Sequence, residues 1–220
     1  MFIEGKQIGL TYGIRKEQAT VAFQDVDITL ESGKMAGIIG PSGSGKSSLL
    51  YVLSGLKKPT SGTVYYDDAD IEGFADDEKA RIRRLKFGFI FQRHYLIEYL
   101  PVLDNVLTGV NSRDAVYKKH AMDLLERLGI ATLYNRKPWQ LSGGQRQRAA
   151  VVRALVHKPA IVFADEPTAS MDHKNAEDVM NLLDECRKND GMSVLVVTHD
   201  RSILDKADYL LDMWDGRLKS

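Results

Sequence analysis

Cysteine is almost absent from the sequence. One cysteine in 220 residues, Cys186, excludes an internal disulfide framework and suits a reducing compartment. Long hydrophobic runs are missing too. The longest, at residues 161–164 and 194–197, fall far short of the roughly 18–20 residues a membrane-spanning helix needs. Neither sign of charge dominates: 30 basic side chains balance 30 acidic ones, so no global field draws in nucleic acid or an acidic membrane. The first residues, Met-Phe-Ile-Glu-Gly-Lys, contain no apolar signal-peptide core. There is no repeat, low-complexity tract or flexible linker. These absences predict a soluble cytoplasmic chain that meets a membrane only through a partner. What is present is 44% hydrophobic residues, enough to bury the core of one large domain or of a core domain with a subdomain.

Periodicity predicts strands at 8–12, 21–23, 26–30 and 63–66, which suit an antiparallel layer. After a turn at Gly33, Met35–Ile39 reads as a short buried strand. Further strands are expected at 87–91, 161–164, 194–197 and 209–213, the last turning at Asp215-Gly216. Helices are expected at 46–55, 76–86, 104–107, 113–128, 145–157 and 174–188. Strands alternating with helices predict an α/β fold with a parallel central sheet. The whole chain, 1–220, reads as one domain: a core of about 1–92 and 158–220, with a helical subdomain at about 93–157.

The chemistry starts at Gly40-Pro41-Ser42-Gly43-Ser44-Gly45-Lys46-Ser47, continuing into Ser48. Gly40, Gly43 and Gly45 permit backbone angles that turn successive N–H groups into one concavity at a helix N-terminus, an anion nest. Lys46 adds a point charge for β- and γ-phosphates, and the Ser47 hydroxyl is placed to ligate Mg²⁺. The loop lies between a predicted strand and a predicted helix, as a phosphate loop must. Residues 161–166 form a buried strand ending in Asp165 and Glu166. Asp165 suits an anionic partner of a metal ion, and Glu166 suits a base or acceptor for water. Strand-end acids are often merely solvated; it is the phosphate loop that favours the functional reading.

About a hundred residues beyond the loop stands Leu141-Ser142-Gly143-Gly144-Gln145. Ser142 can cap the following helix, while Gly143 and Gly144 let N–H groups approach an anion. Ser-Gly-Gly alone reads as an ordinary helix cap, and the flanking Leu141 and Gln145 change that. With these motifs in place, nearly the whole chain resembles the ATP-binding-cassette ATPases, a P-loop nucleotide-triphosphatase fold. The resemblance implies ATP and Mg²⁺ as ligands. It also implies a head-to-tail homodimer in which the signature turn of one copy closes on ATP held by the other. Gln92 matches the glutamine that contacts Mg²⁺ and water and feels the membrane partner. His199 matches the switch histidine that contacts the γ-phosphate, and Asp172 matches the loop linking the two sites. Met171 stands where leucine is more common, which leaves the aspartate intact. Tyr12 matches the aromatic that stacks on adenine, although a core role would also suit a tyrosine there. Implied catalytic residues are therefore Glu166, His199, Gln92 and Lys46, with Ser47, Gln92 and Asp165 around the metal.

The segment His94-Tyr95-Leu96-Ile97-Glu98-Tyr99-Leu100-Pro101 is apolar and aromatic for a loop. It suits packing between core and subdomain, and the resemblance adds docking of an integral membrane permease near residues 92–101. His94, His120, His157 and His173 show no metal-ligand spacing. The basic residues Lys79, Arg81, Arg83, Arg84 and Lys86 follow Asp76-Asp77-Glu78, so a solvated helix face is expected rather than nucleic-acid binding. With the sequence stopping shortly after Asp215-Gly216, neither a sugar-importer-type C-terminal extension nor a fused membrane domain is expected. Compact size and the runs at 40–48, 83–92 and 140–148 look like the lipoprotein-release, macrolide-export and cell-division group. Two rival readings remain: an ATP-dependent switch acting on a membrane partner without transport, and a soluble DNA-repair-type ATPase. The second is disfavoured because no coiled-coil heptads separate phosphate loop and signature.

Overall fold

The computed structural model describes residues 2–13, 19–110 and 114–219. A four-stranded antiparallel sheet runs in the order β2-β1-β4-β5, from β1 (Ile3–Tyr12), β2 (Thr20–Leu30), β4 (Ser61–Tyr66) and β5 (Ala69–Asp70). A six-stranded sheet runs β10-β9-β3-β8-β7-β6. It comprises β3 (Met35–Ile39), β6 (Phe87–Ile90), β7 (Ile161–Asp165), β8 (Ser193–Thr198), β9 (Tyr209–Trp214) and β10 (Arg217–Lys219). Strands β9, β3, β8, β7 and β6 are mutually parallel, and β10 closes the edge antiparallel. Both β7 and β8 are buried at every position, which is why their sequences are continuous apolar runs rather than alternating ones.

The two faces of the parallel sheet feed different cores. Leu195 and Val197 of β8, with Phe163 of β7, pack with α1 (Lys46–Leu53) and the inner face of the antiparallel sheet. Val194 and Val196, with Val162 and Ala164, pack against the helices α3 (Val102–Leu107), α4 (Ala115–Arg127), α5 (Gly143–Leu155) and α6 (His173–Asp190). The period-2 alternation of strand side chains thus divides one sheet between two cores. Helix α2 (Asp76–Lys86) buries none of its residues. Its acids sit in the first turn and Arg83, Arg84 and Lys86 in the last, complementing the helix dipole.

Several boundaries differ from the periodicity. Residues 21–23 and 26–30 belong to one strand, with Asp25 in the left-handed region (φ 53°) where the register with β1 shifts. Helix α3 starts at Val102 rather than 104, because Pro101 caps it and Asn105 N–H bonds back to the Pro101 carbonyl. Helix α5 includes both glycines of the signature turn. The expected start of α4 at Arg113 lies outside the described residues, and the helix is seen from Ala115.

Candidate nucleotide site

Strand β3 delivers the chain into the phosphate loop between β9 and the antiparallel sheet. Gly45, at φ 98°, caps α1 in the left-handed region, and a Cβ there would lie 2.4 Å from the Ala22 carbonyl oxygen. A Cβ on Gly40 would lie 2.0 Å from the Met213 carbonyl oxygen. The backbone therefore runs too close to its neighbours for any other residue at either position. The loop is braced by Ser44 N–H donating to the Pro41 carbonyl and Gly216 N–H to the Ser44 carbonyl. Lys46 is 7% exposed; its Nζ donates to the Gly40 and Pro41 carbonyls, both at 2.8 Å. Burial pushes the Lys46 pKa down, opposed by the nearby Glu166 and Asp165 carboxylates.

Ser47 Oγ donates to Asp165 Oδ1 at 2.8 Å, and Tyr51 Oη donates to Asp165 Oδ2 at 3.0 Å. Burial pushes Asp165 up from the ordinary carboxylate value, against these two hydroxyl donors. Burial, reinforced by Asp165, pushes the Tyr51 phenol up, so it remains a donor. Tyr12, half-exposed, hydrogen-bonds through its hydroxyl to Ser48 Oγ at 3.1 Å and carries the Lys57 ammonium 4.0 Å from its ring centroid.

Glu166, directly after β7, sits at φ 48°. Its N–H donates to the Val197 carbonyl, which turns its side chain toward the end of β8. There Oε2 accepts from Thr198 Oγ1 at 3.0 Å, and Oε1 accepts from His199 N–H at 3.1 Å and lies 2.7 Å from His199 Nδ1. Strand β6 pairs with β7 in register Ile90 to Ala164, so Gln92 leaves the sheet at the same edge as Asp165, exposed.

The signature turn is a reciprocal cap. Ser142 Oγ accepts from Gln145 N–H at 3.2 Å, and Gln145 Oε1 accepts from Ser142 N–H at 2.9 Å, while Leu141 is buried. Gly144 lies against the Ser170 backbone, where an added Cβ would come within 3.3 Å of its carbonyl oxygen. Asp172 caps α6 by accepting from the Asn175 N–H and amide, and Arg148 of α5 reaches Asn175 Oδ1 at 2.8 Å. The signature helix and the Asp172 loop are thus one connected unit. Within one chain, among the described residues, no hydrogen bond joins Ser142–Gln145 to the phosphate loop.

Two buried amides escaped the sequence reading. Gln147 Nε2 donates to the Phe91 and Pro167 carbonyls at 3.3 and 3.0 Å, tying α5 to the ends of β6 and β7. Asn105 accepts from Ile97 N–H at 2.6 Å and donates to the Ile97, Leu100 and Pro101 carbonyls, clamping segment 97–101. Amphipathic position alone does not distinguish such residues. Beside that segment lies a groove of about 500 Å³, lined by Leu56, Arg83, Phe89, Phe91, Tyr95 and Arg153.

The donors fit magnesium. Hydroxyl and carboxylate oxygens converge at Ser47 and Asp165, a hard but incomplete set of the kind Mg²⁺ completes with phosphate oxygens and water. Among the described residues no group of three or more His, Cys, Asp or Glu forms a self-sufficient metal site. Among the described residues Ser44 Oγ, buried within the phosphate loop, has no hydrogen-bond partner, which fits a loop built to bind an anion.

A parallel-strand, glycine-loop, helix unit with a lysine and a strand-end aspartate on the loop serine defines a P-loop nucleotide triphosphatase. The family described as ABC transporter matches residues 23–169. The lipoprotein-releasing system ATP-binding protein LolD of Xanthomonas campestris is 38% identical over 220 residues, covering 99% of this chain and 92% of that protein. The macrolide export ATP-binding/permease protein MacB of Bartonella quintana is 37% identical over 205 residues, 92% of this chain but 31% of that larger protein. A solved dimer of the ATP-binding cassette MJ0796 in a post-hydrolysis state, bound to ADP and Pi, superposes with a TM-score of 0.92 at 37% identity, covering 99% and 97% of the two chains. The chain belongs to the ABC transporter family, as an ATP-binding subunit.

Proposed function

We propose that this chain hydrolyses ATP as a head-to-tail homodimer and drives a separate membrane permease, in an export or mechanical-transmission system. The observation that carries the reading is the split between the two phosphate-facing surfaces. The phosphate loop holds Lys46, Ser47 and Asp165 together, while Ser142 and Gly144 stand on a different helix with no bond to that loop among the described residues, which supports completion of each site by a second copy.

The nest from Gly40 to Ser48 binds the phosphates, and Lys46 turns from the loop carbonyls to the β- and γ-oxygens. Tyr12, already seated on Ser48, stacks on adenine. Ser47, with Asp165 and Gln92 nearby, would hold magnesium, which would supply charge neutralisation to the phosphates. Glu166 accepts a proton from the attacking water, and His199 holds that carboxylate and follows the γ-phosphate. Ser142 and Gly144 of the second copy contact the γ-phosphate, and Asp172 passes the state of one site to the other. Phosphate loss removes what the signature turns hold, and the dimer reopens. Residues 93–157 move as a helical subdomain relative to the core, with Gln147 as the buried tie between them. The aromatic groove beside residues 92–101 supports permease docking there, and with it a position on the cytoplasmic face of a membrane.

Affinity purification from detergent-solubilised native membranes tests this reading. Co-purification of an integral membrane subunit with a large extracytoplasmic domain is expected. Recovery of DNA-repair or ribosomal proteins without a membrane subunit would overturn the transporter assignment.

A further inference from the structure

Nothing in the sequence marks Tyr51, one helical turn beyond Ser47 on α1. In the fold these two hydroxyls divide a single carboxylate between them. Ser47 Oγ donates to Asp165 Oδ1 at 2.8 Å and Tyr51 Oη donates to Oδ2 at 3.0 Å. Positions i and i+4 on one helix face bring both donors to the same strand end. Asp165 is only 4% exposed, so without Tyr51 the second oxygen would be buried with no donor. The Tyr51 ring is itself held. It packs at a tilt on Phe91, centroids 6.3 Å apart, and Phe91 meets Tyr95 edge-on at 5.4 Å. Phe91 directly precedes Gln92, and Tyr51, Phe91 and Tyr95 line one apolar cavity of about 450 Å³ with Leu56 and Lys57.

We propose that Tyr51 is a positioning residue: its hydroxyl fixes the Asp165 carboxylate for magnesium, and its ring keeps that hydroxyl in register with the aromatic groove. The proposal rests on the reading of Ser47 and Asp165 as the metal side of the nucleotide site. A serine hydroxyl alone leaves a carboxylate free to rotate about its one bonded oxygen; a second donor on the other oxygen fixes its plane.

The test is Mn²⁺ binding in the presence of ADP, followed by electron paramagnetic resonance of the free ion, with ADP affinity measured separately in EDTA. Tyr51→Phe keeps the ring on Phe91 and loses only the hydroxyl. The expected result is a fall of about tenfold in Mn²⁺ affinity, with metal-free ADP affinity unchanged within about twofold. Tyr51→Leu, which loses ring and hydroxyl, should lose at least as much. Unchanged Mn²⁺ affinity in Tyr51→Phe, or a loss confined to Tyr51→Leu, would overturn the proposal and make Tyr51 a packing residue. Parallel loss of metal-free ADP binding in Tyr51→Phe would also overturn it. Absence of ADP-dependent Mn²⁺ binding in the unsubstituted chain would instead overturn the magnesium reading, and the Tyr51 role with it.

Discussion

The Glu166 carboxylate and the His199 imidazole face each other at 2.7 Å across the ends of two adjacent parallel strands. Thr198 Oγ1 and the His199 N–H both donate to the same carboxylate, so the end of β8 holds this acid through two donors and the imidazole contact. Glu166→Gln preserves its size and one acceptor oxygen but removes the base. Phosphate-release assays should show turnover reduced by about 10²–10⁴-fold with ATP binding retained. Near-normal turnover would remove Glu166 from the proton-accepting role.

Lys46 is already buried against the loop carbonyls it would leave on binding phosphate. Lys46→Ala removes a charge-assisted donor of about 1.5–3 kcal/mol, equivalent to about 10–100-fold in affinity. Calorimetric titration with ATP checks this, and undiminished affinity would contradict the assignment of the loop.

If each site draws on two copies, inactive chains should rescue each other. A mixture of Lys46→Ala and Ser142→Ala chains contains dimers in which one site pairs an intact phosphate loop with an intact signature turn. Turnover of the mixture should exceed the sum of the separate variants. Loss of Ser142 Oγ also removes the cap of α5, so the Ser142→Ala chain should lose about 1 kcal/mol of stability in denaturant unfolding.

Asp184 on α6 is buried and bonded to Arg187 and Lys188, each at 2.7 Å. Burial opposes its ionisation, but the two cations outweigh burial and hold its carboxyl below the ordinary carboxylate range. A carboxylate lowered by folding stabilises above its unfolded-chain pKa, and that stability is lost as pH falls through the folded value. Asp184→Asn should therefore cost about 1–3 kcal/mol in urea unfolding at pH 7, a gap that closes as pH falls below the carboxylate range.

The elements that carry chemistry were legible because their causes are local. Strands β7 and β8 are buried on both faces and so spell unbroken apolar runs, and the phosphate loop needs Gly40 and Gly45 where neighbouring carbonyls come within 2.4 Å of where a Cβ would lie. What the sequence hid is long-range. Tyr51 meets Asp165 from 114 positions away, and Gln147 meets Phe91 from 56. No periodicity encodes either contact. Strands β5 and β10, of two and three residues, are too short to show alternation at all. The signature glycines read as loop because glycine disfavours helix interiors, yet the Ser142 cap makes them the first turn of α5.

The most direct test of the two-copy site is the molar mass of the Glu166→Gln chain by light scattering, without nucleotide and with Mg²⁺-ATP. A shift from one copy to two on adding ATP, abolished when Ser142 is also replaced by a bulky residue, is the predicted result. A mass that stays at one copy with saturating ATP bound would contradict closure of two copies around the nucleotide.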